Sequence, residues 1–281
     1  MPEIKLENIS YTYSEGTPFE ISALSDINVT VKSGIVTGII GHTGSGKSTL
    51  VQMLNGLVKP SNGRILLDGE DIWVNPKEIG RVRFKVGLVM QYPEYQLFEE
   101  TIKADIAFGP KNMGLNADEI EKRVLEAADF VGLPHDMLEK SPFDLSGGQK
   151  RRAAIAGVIA MRPAVLVLDE PAAGLDPIGR EMIMQSIMGY KNKTGATIVI
   201  VSHSMEDMAR YCDELIVLAE GRLLMNGRKE DIFSRADELT SVGLDVPQIT
   251  EMLNLLASMG IDVNTSAYTV DDALAEIYKL L

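Results

Sequence analysis

Apolar and polar residues alternate at the start of this chain, and the rhythm then changes. Ile4 to Tyr13 and Ile27 to Lys32 carry apolar side chains at about every second position, the pattern of antiparallel strands with one face in water. Turn residues Ser61-Asn62-Gly63 and Asp68-Gly69 bracket a further short strand. From Ile35 the pattern becomes continuous. Ile35-Val36-Thr37-Gly38-Ile39-Ile40 and the apolar runs at Val86, Val165, Ala196 and Leu215 have the character of strands buried on both faces of a parallel sheet. Helical spacing marks Lys47 to Leu57, which stops before Pro60, Asn62 and Gly63, and Lys150 to Met161. Between Gln91 and Leu145 the segments Thr101 to Phe108, Ala117 to Val131 and His135 to Lys140 are also helix-like. After Gly227 come short helical stretches at Lys229 to Ser234, Pro247 to Met259 and Asp271 to Leu281, around Gly243, Pro247 and Gly260.

The pattern predicts an α/β fold with a parallel core sheet, an antiparallel β subdomain and a helical subdomain over about 92–160. It divides the chain into a main domain, 1–235, and a small C-terminal helical module, 236–281. Met252, Leu255 and Leu256, and likewise Leu274, Ile277 and Leu281, form apolar stripes that suit either a pairing surface or packing on the chain's own core. There is no internal repeat and no low-complexity tract.

The junction between the Ile35 strand and the Lys47 helix carries the first chemistry. Gly41-His42-Thr43-Gly44-Ser45-Gly46-Lys47-Ser48-Thr49 fits G-x-x-x-x-G-K-[ST], a glycine-rich loop opening a helix. Glycines let the backbone wrap a polyphosphate, so that N–H groups and the positive helix end face its charge. Lys47 would reach the β- and γ-phosphates, and Ser48 would hold Mg²⁺. This motif alone leaves kinase, GTPase, motor and transporter open.

Charge and composition narrow the setting. The 281 residues carry a net charge of -13, the reverse of the basic footprint that nucleic acid needs, and no nucleic-acid partner is expected. The same charge disfavours direct adhesion to anionic lipid, so any membrane attachment should pass through protein partners. No apolar run approaches the roughly 18–20 residues that span a bilayer. The start, Met1-Pro2-Glu3-Ile4-Lys5, lacks the features of a signal peptide, which gives the expectation of a cytosolic chain. Cys212 is the only cysteine, with burial its expected fate. Lys150-Arg151-Arg152 is the one short basic cluster, read as a solvated first helical turn.

A second motif, Leu145-Ser146-Gly147-Gly148-Gln149, is followed by Val165-Leu166-Val167-Leu168-Asp169-Glu170 and then His203. Ser146 is a good N-cap for the next helix, and Gly147 and Gly148 allow close backbone approach. From about Ile4 to Gly227 the chain resembles the ATP-binding subunits of ABC (ATP-binding-cassette) transporters. The resemblance implies a P-loop fold of the ABC ATPase type, ATP and Mg²⁺ as ligands, and a head-to-tail dimer. In that dimer Ser146, Gly147, Gly148 and Gln149 of one subunit close over the γ-phosphate held by the other. It implies Asp169 near the Mg²⁺ shell, Glu170 polarising the attacking water, and His203 orienting that pair. Gln91 would sense Mg²⁺ and water, and Gly174-Leu175-Asp176 would cross the dimer interface. It implies Tyr13 as the adenine platform, with Tyr11 as the competing choice. Ala172 departs from the family's usual Thr or Ser. Each assignment competes with a simpler one: a histidine after a strand is more often structural, an Asp-Glu pair at a strand end is usually a solvated turn, and an edge-strand tyrosine packs well without a ligand.

Within the family, Gln91-Tyr92-Pro93-Glu94-Tyr95-Gln96-Leu97-Phe98-Glu99-Glu100-Thr101, ending in Phe108-Gly109-Pro110, and the stretch Leu145 to Pro177 are similar to energy-coupling-factor ATPases, most of all to the second member of an ATPase pair. This implies an import complex for a vitamin or transition-metal ion. Its parts would be a second, paralogous ATPase subunit or a homodimer mate, a transmembrane coupling protein and substrate-capture membrane proteins. The chain would sit at the cytoplasmic face of the membrane. A conventional ABC importer with dedicated permeases and a binding protein is the alternative. Tyr92, Tyr95, Leu97 and Phe98 either fill a joint between subdomains or line a groove for partner helices.

Overall fold

Two sheets back onto one buried layer in the computed structural model, which describes residues 2–265 and 267–279. Strands β1 (Ile4–Tyr13), β2 (Ile21–Val31), β3 (Val36–Ile40), β4 (Asn62–Leu67) and β5 (Glu70–Asp71) come first, with helix α1 (Lys47–Leu54) between β3 and β4. Then follow α2 (Ile79–Lys85), β6 (Val86–Val89), α3 (Ile102–Asn112), α4 (Ala117–Phe130), α5 (Gly147–Ile159), β7 (Val165–Asp169) and α6 (Pro177–Thr194). The chain continues through β8 (Thr197–Val201), α7 (Met205–Tyr211), β9 (Glu214–Ala219), β10 (Arg222–Arg228), α8 (Lys229–Phe233), α9 (Ala236–Ser241), α10 (Gln248–Ser258) and α11 (Val270–Tyr278).

The alternating strands form a four-stranded antiparallel sheet in the order β2-β1-β4-β5, and the continuous ones form a six-stranded sheet in the order β10-β9-β3-β8-β7-β6. Every pairing from β9 to β6 is parallel, and β10 adds an antiparallel edge. The period of two decides which core each side chain joins. Val165 and Val167 of β7 pack with Leu50, Met53 and the antiparallel sheet, whereas Leu166 and Leu168 face Ile155 of α5 and Ile183 and Ile187 of α6. Burial on both faces accounts for the unbroken apolar runs.

Several boundaries differ from expectation. β2 begins at Ile21, six residues before the expected strand, because its first half pairs with β1 through shifted register. α1 stops at Leu54, where the chain turns into the left-handed Gly56. His135 to Lys140 is not a helix. It makes only a 3-10 turn at His135–Met137, and the carbonyls of Leu138 and Lys140 instead accept the N–H groups of Lys103 and Ile102 at the start of α3. Helices α2, α6, α7 and α9 were not anticipated, although Asp176-Pro177 is a good start signal and Asp176 does cap α6. In the C-terminal part, Leu253 of α10 packs with Ala267 and Ala273 in a separate small cluster. Met252, Leu255 and Leu274 are exposed. The expected stripe residue Leu281, like Met1, lies outside the described residues. Cys212 is buried as expected.

Candidate nucleotide site

Four neighbouring parallel strands end at one edge of the sheet and deliver the motif residues there. β3 runs into Gly41–Thr49, β6 into Gln91, β7 ends on Asp169 with Glu170 next, and β8 leads to His203. This is the edge where open α/β sheets bind ligands. A cavity of about 500 Å³ opens there, lined by Tyr13, Thr43, Gly44, Gly46, Lys47, Ser48, Thr49, Gln91, Asp169, Glu170 and His203. Ile21, Ser22 and Ala23 line it too. Sequence reasoning missed these three, because the pairing that sets Ile21 opposite Tyr13 is a matter of register.

The loop is built around its glycines and its lysine. Gly46 caps α1 at φ 96°, and a Cβ there would stand 2.6 Å from the Ala23 carbonyl, so only glycine fits. No side chain caps this helix, and its first turn holds no acid, which leaves its N–H groups for an anion. The Lys47 ammonium donates to the carbonyls of Gly41 and His42 at 2.6 and 2.9 Å. Burial lowers its pKa, against the pull of Glu170 and Asp169. Gly41 and Ser45 are buried beneath the loop. His42 turns aside: its Nδ1 donates to the Thr43 carbonyl at 2.8 Å, and its Nε2 accepts from the Glu220 N–H at 3.4 Å.

Opposite the loop, two carboxylates sit in contrasting settings. Burial raises the Asp169 carboxyl, while the Ser48 hydroxyl and the Lys47 ammonium pull it back down. Burial, reinforced by Asp169, pushes Glu170 up to about 7. Glu170 is also held in the left-handed region at φ 52°, its N–H donating to the Val201 carbonyl at 3.0 Å. Its Oε1 is buried without a hydrogen bond, with His203 Nε2 3.4 Å away. Burial lowers the pKa of His203 and Lys47 adds to the effect, against the pull of Asp169. On its far side Glu170 borders a second cavity of about 180 Å³, lined also by Ala172, Ser202 and the paired Arg180 and Asp207.

A polyphosphate with Mg²⁺ fits these residues. The loop offers free N–H groups, the buried Ser45 hydroxyl lacks a partner, and Ser48 with Asp169 is an oxygen-donor pair of the kind hard cations prefer. Among the described residues no cluster of three or more His, Cys, Asp or Glu could hold a metal, so such an ion would rely on the phosphates as well.

The two candidate tyrosines differ. Tyr13 lines the cavity, and its hydroxyl shares a 3.0 Å hydrogen bond with Thr49 Oγ1. Tyr11 is not among the lining residues; it stands edge-on to Tyr13 at 4.7 Å and packs against the core.

Ser146, Gly147, Gly148, Gln149 and Asp176 are not brought to this cavity. Ser146 caps α5 in a reciprocal box: its Oγ accepts from the Gln149 N–H at 3.4 Å, and Gln149 Oε1 accepts from the Ser146 N–H at 2.8 Å. A Cβ on Gly147 or Gly148 would meet nothing within 4 Å. Asp176 Oδ1 accepts from the Gly179 N–H at 2.9 Å. The basic cluster behaves differently from expectation: Arg151 is buried in an ion pair with Glu94 rather than solvated, because each of its guanidinium nitrogens donates to an acceptor.

Comparison with known proteins agrees with this architecture. The family model "ABC transporter" matches residues 24–173, more than half the chain. The energy-coupling factor transporter ATP-binding protein EcfA2 of Clostridium acetobutylicum is 50% identical over 279 residues, covering 99% of this chain and 98% of that protein. The EcfA2 of Streptococcus thermophilus is 49% identical over 273 residues, 96% of each chain. Among solved structures, cbiO1 from Clostridium perfringens, part of the ABC transporter complex cbiONQ, matches at TM-score 0.75 and 42% identity over 89% of this chain and 98% of that one. A dimeric ATP-binding cassette in a post-hydrolysis state with ADP and Pi matches at TM-score 0.72 and 30% identity over 80% of this chain and 98% of that one. The chain belongs to the ABC transporter family and, within it, to the energy-coupling factor transporter ATP-binding proteins.

Proposed function

We propose that this chain binds and hydrolyses ATP to power an energy-coupling-factor import complex, with Lys47, Ser48, Gln91, Asp169, Glu170 and His203 as its working groups. The convergence of these six side chains on one cavity carries the reading. Loop N–H groups and Lys47 would hold the phosphates, and Tyr13 would stack on adenine. Mg²⁺, when bound by Ser48 and Asp169 with Gln91 nearby, would neutralise phosphate charge. Glu170 is suited to general-base work, since a carboxyl near 7 both accepts a proton readily and is substantially ionised at neutral pH. His203, its Nε2 3.4 Å from Glu170 Oε1, would orient that carboxylate.

A Cβ on Gly147 or Gly148 would meet nothing within 4 Å, and a second ATPase, a copy or a paralogue, would complete each site through Ser146, Gly147, Gly148 and Gln149 and cross at Asp176. The exposed C-terminal residues Leu255, Met259 and Leu274 would contribute to that pairing. Tyr95 and Phe98, 84% and 65% exposed, would meet helices of a transmembrane coupling protein. Attachment to the cytoplasmic face would come through such partners, as no helix among the described residues is long and apolar enough to cross a membrane. The cargo would be a vitamin or transition-metal ion taken up by separate capture proteins.

Purification of the tagged chain from its native cell in gentle detergent, with mass spectrometry of what accompanies it, tests this. A related ATPase, one coupling membrane protein and several small capture proteins are expected. Two dedicated permeases instead would overturn the subclass, and recovery without membrane protein would overturn the transport role.

A further inference from the structure

Arg151 lies near the start of α5, and its side chain is only 3% exposed. A guanidinium stays charged at any ordinary pH, so burying it is costly unless every donor finds a partner. Here Nε and Nη2 donate to the two oxygens of Glu94 at 3.0 and 2.7 Å, and Nη1 donates to the Ala173 carbonyl. The same guanidinium lies 5.7 Å from the centre of the Tyr92 ring. Burial pushes the Glu94 carboxyl up, but the Arg151 hydrogen bonds, a backbone hydrogen bond and the Arg151 charge together outweigh it and hold the group below its usual range.

These contacts join three pieces distant in sequence. Glu94 belongs to the turn Pro93–Gln96 just after Gln91, Ala173 to the loop just after Glu170, and Arg151 to the helix capped by Ser146. The other end of the Tyr92 segment is pinned as well: Asp105 Oδ1 of α3 accepts from the N–H groups of Phe98 and Glu99 at 3.1 and 3.2 Å. The segment is thus tied at both ends, with Tyr95 exposed between them.

We propose that Arg151 is a positioning residue that transmits displacement of the Tyr92–Phe98 segment to the Ser146 end of α5 and to the loop after Glu170. The inference rests on the reading of that segment as the contact with a membrane partner. One fork on one carboxylate would make the three pieces move together. A lysine keeps the charge but lacks the fork.

The test compares steady-state ATPase activity of the chain alone and assembled with its co-purified membrane partners. It uses wild type, Arg151→Lys, Glu94→Gln and the double variant. Assembly should stimulate wild-type kcat. Each single variant should lose that stimulation by roughly tenfold, with the ATP KM within about twofold of wild type, and the double variant should lose no more than either single. Glu94→Gln keeps the test open if Arg151→Lys folds poorly. Undiminished stimulation in both single variants would overturn the proposal. So would equal falls in kcat with and without partners alongside a lowered melting temperature, the mark of a merely structural pair. Absence of stimulation in wild type would overturn the partner reading itself, and the proposal with it.

Discussion

The cavity at the sheet edge and the signature face at the start of α5 both present helix N-termini, yet they are finished to different degrees. At the cavity, the strand ends and the loop bring a lysine, two carboxylates, a histidine and a glutamine into one space, and Glu170 Oε1 and the Ser45 hydroxyl under the loop are buried without a hydrogen bond. At the signature face, Ser146 and Gln149 satisfy each other and the glycines look into open space. The contrast teaches that one face offers a lined cavity and the other a capped helix end open to solvent. Under the proposed function, hydrolysis would be a property of two chains and binding a property of one.

The sharpest way to break this division is at Glu170. Glu170→Gln should lower turnover by roughly 10²- to 10⁴-fold while ATP still binds. Full activity with saturating ATP and Mg²⁺ in the assembled complex would remove Glu170 from its role. Lys47→Ala should act on binding itself, weakening ATP affinity by roughly tenfold to a hundredfold, the scale of lost hydrogen bonds from a charged group. Calorimetric titration checks this, and an unchanged affinity would count against the loop as the phosphate site. Tyr13→Ala should weaken binding by roughly tenfold, as loss of a base-stacking ring does, and Tyr11→Ala by far less. Equal effects at the two tyrosines would dissolve the distinction drawn from their positions.

On the signature side, Ser146→Ala should leave ATP binding by the single chain intact and cost about 1 kcal/mol of stability through the lost cap. Denaturant unfolding measures it. The pH dependence of the Glu94–Arg151 pair is subtler. Glu94 is held below its usual 4.5, so its contribution is present above that value and disappears as pH falls through the lowered one. The melting-temperature gap between wild type and Glu94→Gln should therefore be widest near neutral pH and close as pH falls through the lowered value. A gap that widens on acidification would reverse the sign.

Much of this was legible in the residues alone, for reasons that differ by region. β1 matches Ile4–Tyr13 end to end, because a half-buried strand must alternate. The buried strands declared themselves by unbroken apolar runs, and the strand ends then carried Gln91, Asp169, Glu170 and His203 to one edge. The first half of β2 stayed hidden because Ile21 to Asp26 pairs through register shifts rather than through regular alternation. Arg151 was hidden for a different reason. Within Lys150-Arg151-Arg152 nothing local separates a buried guanidinium from a solvated one; its partner Glu94 stands 57 residues away. Long-range pairing of charge leaves no periodic trace.

The most direct test of the two-chain claim is light scattering of the Glu170→Gln chain, alone and mixed with the ATPase that accompanies it, with and without ATP and Mg²⁺. The account predicts that ATP doubles the mass in at least one of these preparations and that removing ATP reverses it. A wild-type chain that hydrolyses ATP while remaining a monomer would contradict it.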